Sequence, residues 1–369
     1  MVEKEGSVST FLRTLILTLP FSHCKLILTR IYIFLYVRLG KTTTSSAISV
    51  AMAEAGHNVA LISTDPAHSL GDALDMNLSG GALIDCPLVG MYSEGSLQAM
   101  EVDPSAALKQ FKGVIDQLVG STGSEDSSPG GLGSTLRELG EIFDTLPAGT
   151  DEVVALAKVI GTIRKGNYDR VVLDTAPTGH TLRMLSTPGF LADLIDRILV
   201  IARKVNSNPT IKMMISGAAK DEKELNAAAA SAKATLQSFQ IQMFDLEDLF
   251  ADAATTEFLI VTALTELSVR ESIRLLNDLT FEAPEMPIKV RNIVANQVLN
   301  EDGGDVDAFL GRVKSGQETS IKDLSTAIAS MDAPPGLTFV PSLDTEPRGV
   351  FGLKVLADEL MKEALVEQS

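Results

Sequence analysis

Gly40-Lys41-Thr42-Thr43-Thr44 leads straight into a helical pattern, Ser45 to Glu54, and reads as the back half of a phosphate-binding loop. A Gly-Lys-Thr at the opening of a helix suits nucleotide phosphates. Backbone N–H groups and the helix dipole face the anion, the lysine reaches the outer phosphates, and the threonine hydroxyl can ligate Mg²⁺. The front half departs from that pattern. Where glycines are required the chain has Leu35, Tyr36, Val37 and Arg38, each with a Cβ that obstructs left-handed backbone angles and close approach to phosphate. Taken alone, Gly40 to Thr42 fits either a nucleotide site or a capped surface helix, and the surroundings must decide.

Downstream, the pattern is regular. The helix runs from Lys41 to about Ala55 and ends at Gly56; Asn58 to Ser63 (NVALIS) is a short buried strand that opens into Thr64-Asp65-Pro66-Ala67-His68-Ser69. A strand from Gly95 to Val102 precedes a helix that begins near Pro104. Residues 120 to 134 have the Gly/Ser-rich composition of a loop, and helical periodicity returns from Leu136 to Leu146 and from Asp151 to Ile163. Tyr168 to Thr175 (YDRVVLDT) is a hydrophobic strand that ends on Asp174, and a helix is predicted from about Gly189 to Val205. Between Leu225 and Phe250, apolar residues recur in threes and fours along one helical face. Strands at Glu257 to Leu264, Lys289 to Gln297 and Leu337 to Leu343 follow, each with a helix after it, the last from Val350 to about Leu365. Alternating buried strands and helices predict an α/β fold: a doubly wound, mostly parallel sheet that binds ligands at the carboxyl ends of its strands. Asp65, Asp174 and Asn296 all fall at such ends.

The 369 residues are 45% hydrophobic, as in a globular protein. A net charge of −17 argues against an extended nucleic-acid footprint, which needs clustered Lys and Arg. Cys24 and Cys86 lie far apart with no C-x-x-C, so neither a disulfide framework nor a sequence-local zinc site is supported, and a reducing compartment fits. Residues 1 to 39 stand apart, being net +3 against −20 for the remainder. Arg13, His23, Lys25 and Arg30 interrupt their apolar runs before any reaches spanning length. The segment is expected to be either a presequence or a misjudged start, with residues 40 to 369 forming the folded domain. Ile31 to Val37 nevertheless has the composition of a strand feeding the loop.

Nucleotide hydrolysis needs phosphate donors, a metal held by a hydroxyl and carboxylates, and a group that positions water. Lys41 and the Gly40 backbone address phosphate, Thr42 the metal, Asp174 the metal-bound waters and Asp65 the attacking water. An aspartate after a strand is equally at home as a helix cap, so weight rests on the conjunction. His68 and His180 sit in the two post-strand loops, without partners at metal-ligand spacing.

STDPAHSLGDAL (63 to 74), PAGTDEVVALAKV (147 to 159), VVLDTAPTGHTLRML (171 to 185), TTEFLIV (255 to 261), VANQ (294 to 297) and TEPRGVFGL (345 to 353) resemble the ArsA/Get-type ATPase family over residues 40 to 365. That family includes the targeting ATPase for tail-anchored membrane proteins and the soluble ATPase of the arsenite pump. The resemblance implies a P-loop fold of the deviant Walker A class with an inserted helical subdomain, here around 104–150 and 205–250. It implies ATP and Mg²⁺ as cofactors, and a homodimer that sandwiches two nucleotides. It makes Asp65 the residue that activates water, Asp174 the start of the second switch, and Gly40, Lys41, Thr42 and Thr43 the surviving phosphate loop. Asn296 and Pro341 then stand where the family holds adenine. Three departures accompany it. Tyr36 replaces the intersubunit lysine, and the C-x-x-C of a zinc clasp is missing from Asn300 to Gly316, so no zinc is expected. A glutamate of the nucleotide site in some members appears as Thr265, with Glu266 beside it.

A targeting ATPase must shield a client's transmembrane helix with an adaptable apolar groove. Met213, Met214, Leu236, Phe239, Met243, Leu246 and Phe250 have the composition and spacing for one, and the same stripe also suits packing within the protein. The resemblance implies tail-anchored clients and a membrane receptor, and a soluble cytoplasmic protein associating transiently with membranes. Plastid stroma or mitochondrion are the alternative compartments. Two alternative functions remain. An arsenite-pump subunit needs several converging thiolates, and a non-hydrolysing holdase would follow from a phosphate loop that lacks its glycines.

Overall fold

The computed structural model describes residues 31–36, 40–65, 67–88, 95–120, 146–147, 149–164, 166–175, 181–207, 222–282, 290–299, 308–343 and 347–366. Eight strands form one sheet: β1 (Ile31–Tyr36), β2 (Asn58–Ser63), β3 (Ile84–Cys86), β4 (Ser96–Glu101), β5 (Arg170–Asp174), β6 (Thr256–Ala263), β7 (Val290–Val298) and β8 (Gly336–Pro341). Their spatial order is β3-β4-β2-β5-β1-β6-β7-β8, all parallel except β3, which runs antiparallel to β4. The helices of this nucleotide-type unit are α1 (Lys41–Glu54), α2 (Ser69–Leu74), α7 (Glu266–Asn277), α8 (Ala308–Ala329) and α9 (Gly349–Val366). Those of the helical region are α3 (Pro104–Gly120), α4 (Thr150–Ile163), α5 (Thr181–Ser207) and α6 (Glu222–Ala251). The doubly wound architecture expected from the sequence is thus the one observed.

The sheet begins inside the segment that composition sets apart. Ile31–Tyr36 pairs with β5 on one side and β6 on the other, inside the stretch expected to precede the folded domain. The physical reason is that β-branched and aromatic residues fill a central strand whatever the charge of the residues before it.

Strand periodicity explains the two faces. In β6, every residue is buried, yet Leu259 and Val261 join one core and Ile260 the other, because successive side chains point to opposite faces. The first core is closed by α1, α2 and α9 through Ile48, Val50, Met52, Leu70, Leu353 and Leu356. The second is closed by Val269 and Leu276 of α7 and Leu324 and Ile328 of α8. Each such side chain contributes roughly 1.5–3 kcal/mol on burial. Lys354 ties α9 to α1 by pairing with Glu54 at 2.7 Å. In α1, hydroxyls are buried beside these apolar groups, and helix carbonyls satisfy two of them: Ser45 Oγ donates to Thr42 O and Ser49 Oγ to Ser45 O, both at 2.8 Å.

Two compact units are present, one of residues 1–102, 166–179 and 250–369, the other of 103–165 and 180–249. Among the described residues, the helical unit holds α3, α4, α5 and α6 up to Leu249. One sequence expectation needs correction. Helix α5 starts at Thr181 rather than Gly189, with Pro188 inside it. The proline deletes one backbone donor, but Leu185 and Leu191 on either side are buried, and that packing carries the helix through. β3 carries too few residues to show alternation. The expected loop from residue 121 on, the predicted helix from 136 up to residue 145, and Met213, Met214 and His180 lie outside the described residues. Among the described residues no helix is long and apolar enough to cross a membrane.

The candidate client stripe is internal to its helix packing. Leu236, Phe239, Met243 and Leu246 are buried in the helical unit, Phe239 edge-to-face on Phe111 at 5.1 Å, and Phe250 is buried at the start of the other unit's last segment. An open groove lined by these side chains is therefore not what this conformation presents. Their spacing of threes and fours is the one that packs helix on helix, and the protein's own helices fill it. Among the described residues, the large exposed apolar side chains of α6 are Ile241 and Phe244, with Phe190 exposed on α5.

Candidate functional site

The site is built on one row of the sheet. Leu35 of β1 is in register with Asp174 of β5, Asp174 with Ser63 of β2, and Ser63 with Glu101 of β4. β2, β4 and β5 end on Ser63, Glu101 and Asp174, on the same edge of the sheet, beside the N-terminus of α1.

Gly40 caps α1 with φ 77°, a left-handed angle that glycine adopts without strain, and its carbonyl accepts the first helical bond from Thr44 N–H at 2.9 Å. A Cβ on Gly40 would also collide with the Asn296 side-chain amide. The residue expected at the adenine position thus sits against the phosphate loop itself. Asn296 Oδ1 accepts from Gln297 N–H at 2.9 Å, where the backbone turns left-handed at Gln297. Pro341 ends β8 opposite Val298 of β7, just past that irregularity.

Lys41 is buried, and its ammonium lies 3.4 Å from Asp174 Oδ1 and 3.6 Å from Asp65 Oδ2. Thr42 Oγ1 donates to Asp174 Oδ2 at 2.8 Å and shares a 3.0 Å hydrogen bond with Ser69 Oγ. Ser63 Oγ donates to Asp174 Oδ2 at 3.3 Å and accepts from Asp65 N–H at 3.2 Å. The six residues Lys41, Thr42, Ser63, Asp65, Ser69 and Asp174 therefore form one connected cluster. Thr43 is half-buried in the first turn of α1, beside it. Burial raises the Asp174 carboxyl above its ordinary value, against the opposing pull of Lys41 and Thr42.

Among the described residues, Lys41 Nζ and Asp174 Oδ1 are both buried without a hydrogen-bond partner. Orphaned buried polar atoms of this kind are costly unless a further group completes them. A phosphate for the ammonium, and a hydrated cation for the carboxylate and the Thr42 hydroxyl, have the required chemistry. The residues present thus fit a nucleotide with its metal.

Ser63, Ser69 and Glu101 were not singled out from the sequence. Ser69 lies within the quoted 63–74 run, and its signal is a hydroxyl at the opening of a short helix. Thr265 caps α7, accepting from Ser268 N–H, while Glu266 pairs with Arg270 at 2.7 Å on the exposed helix surface. Cys86 is buried, and burial, reinforced by Asp85, pushes its thiol up to about 11. It holds its proton at neutral pH and is a poor soft-metal ligand.

The family model for anion-transporting ATPases matches residues 38–362. ATPase GET3B of Arabidopsis thaliana is 36% identical over 335 residues, covering 88% of this chain and 76% of that protein. ATPase GET3C of the same plant is 30% identical, covering 88% of this chain and 80% of its own. ATPase ARSA1 of Chlamydomonas reinhardtii is 34% identical over 88% of this chain, which spans only 41% of that longer protein. With the phosphate-loop lysine, two carboxylates and a hydroxyl gathered at the end of a doubly wound sheet, and similarity along nearly its whole length, the chain belongs to the anion-transporting ATPase family.

Proposed function

We propose that the chain is an ATP-driven targeting factor that captures tail-anchored membrane proteins and delivers them to a membrane receptor, working as a homodimer. The observation that carries the hydrolytic half is the convergence of Lys41, Asp65, Asp174 and Thr42 on one buried point. In this reading Lys41 would face the outer phosphates, Thr42 and Asp174 would hold Mg²⁺, and Asp65 would orient the attacking water. Bound Mg²⁺ supplies charge neutralisation at the transferred phosphoryl group. Asn296 and Pro341 flank the adenine. The targeting half rests on the long motif resemblance and on the kinship with ATPases named GET3B and GET3C.

Client contact in this reading involves the helical unit. Its buried stripe becomes available only where the helices part, whereas Phe190, Ile241 and Phe244 are exposed already. The working compartment is the cytosol, with plastid stroma or mitochondrion as alternatives, and no zinc clasp is used. An arsenite-pump role draws no support from Cys86, whose thiol stays protonated.

The test is ATP binding and turnover by the 369-residue chain beside a version whose residues 35 to 39 are changed to Gly-Lys-Gly-Gly-Val. Both are loaded with a tail-anchored peptide. Turnover and nucleotide-stimulated release by the unaltered chain support the proposal. Release by the altered version alone makes the natural chain a holdase.

A further inference from the structure

We propose that Glu101 is a positioning residue of the hydrolytic site, one that latches the start of α2, from His68 to Gly71, in the geometry the site needs. This rests on the ATPase reading of that site. Glu101 ends β4 and lies one strand from Ser63 and two from Asp174 in the same register row. Its carboxylate is 6% exposed, and its two oxygens are used separately. Oε1 accepts from the backbone N–H of Gly71 at 2.9 Å, and Oε2 faces His68 Nδ1 at 3.2 Å. Both contacts are to the segment that follows Asp65.

A carboxylate is removed from water only where partners compensate it, and the partners here are a loop histidine and a loop amide. The loop itself is under conformational load. His68 has φ 53°, an angle that a side chain with a Cβ rarely adopts. Its side chain is otherwise 59% exposed, so little else holds it. Gly71 is placed as closely as a residue can be: a Cβ there would lie 2.8 Å from Met76 O and 3.7 Å from Glu101 Oε1. Between these two anchored residues stands Ser69, whose hydroxyl meets Thr42 at 3.0 Å. Asp65, at the near end, stands 3.6 Å from Lys41. Glu101 touches neither phosphate-loop residue, yet it fixes the span that carries both Asp65 and Ser69. Releasing it frees the attacking-water residue while leaving Lys41 and the backbone cradle in place. Turnover should therefore fall without a matching loss of nucleotide affinity.

The experiment uses the full chain, with Glu101→Ala, Glu101→Gln and His68→Gly, the last removing the latch side chain while relieving the left-handed angle. Four quantities are read: kcat, KM for ATP, hydrogen exchange of the 67–72 amides, and the thermal midpoint. Glu101→Ala should lower kcat about tenfold or more with KM changed less than about twofold, the pattern of lost transition-state alignment. Exchange at 67–72 should accelerate by a similar factor. Glu101→Gln, which keeps one oxygen for Gly71, should restore amide protection and part of kcat. His68→Gly should lower kcat with Gly71 still protected. Glu101→Ala with unchanged kcat, or with kcat and KM degraded together alongside a collapsed thermal midpoint that Glu101→Gln does not rescue, overturns the proposal. An unaltered chain that binds no nucleotide and shows no turnover overturns the ATPase reading itself, a result distinct from active wild type with active Glu101→Ala.

Discussion

The ammonium of Lys41 and the Oδ1 of Asp174, 3.4 Å apart and both buried, are each other's nearest counter-charge among the described residues, and among these neither has a hydrogen-bond partner. Such a pair is expensive to desolvate and worth little to stability for its cost. Its retention fits a site shaped for a ligand. Removing one member alone is the damaging change, because the other stays buried without compensation. Lys41→Met should lose nucleotide binding and destabilise the fold by about 3–5 kcal/mol at neutral pH, read by isothermal titration with ATP and by urea unfolding. A variant with unaltered urea midpoint would show that Asp174 sheds its charge freely.

The pH dependence of stability follows from the same carboxyl. Burial raises the Asp174 pKa above its ordinary 3.8 despite Lys41, so the native state keeps that proton to higher pH than the unfolded chain does. Where the native state binds more protons, stability falls as pH rises. The contribution is therefore fully present below 3.8 and lost as pH rises through the folded value. Asp174→Asn cannot titrate. Whatever its constant offset, its stability relative to the natural chain should rise with pH from about 3.8 upward and then level off, as measured by unfolding midpoints from pH 3 to 7. A flat difference would place the carboxyl at its ordinary value.

Much of this was legible in the sequence because strand ends and chemistry coincide. NVALIS and RVVLD are buried runs too short for helices, and each delivers its polar residue, Ser63 or Asp174, to the sheet's ligand edge. Helix α1 was legible from its glycine cap. The hidden parts depend on contacts across the sheet. Nothing local to Glu101 shows that it will reach His68 and Gly71, some thirty residues earlier in the chain, because a strand register creates that proximity. The stripe on α6 is ambiguous for the opposite reason. Its periodicity is correct, but periodicity marks a buried face without saying what buries it.

Gly40 is held by two independent constraints, and a double-mutant cycle separates them. Gly40→Ala meets a left-handed φ of 77° and the Asn296 amide. The backbone term costs about 1–2 kcal/mol, and the collision adds to it. Asn296→Ala removes the collision and leaves the angle. The double variant should therefore be more stable than Gly40→Ala alone, with a coupling of about 1 kcal/mol or more, measured by chemical denaturation. Strict additivity would mean that Asn296 swings aside at no cost.

Helix α6 has two faces with opposite predicted behaviour. Phe239 is buried edge-to-face on Phe111, so Phe239→Ala should destabilise the helical unit by about 3–5 kcal/mol, and Phe239→Asp more, before any effect on a client can be read. Ile241 and Phe244 are 61% and 48% exposed. Replacing both with serine should shift stability by no more than about 0.5 kcal/mol each. If clients enter at this face, the double serine variant should keep its ATP affinity and thermal midpoint while losing most crosslinking to a tail-anchored peptide. Undiminished crosslinking would move the entry surface elsewhere on the helical unit. Because Phe239 and the Ile241–Phe244 pair lie on one helix, the comparison separates a folding defect from a binding defect within a single element.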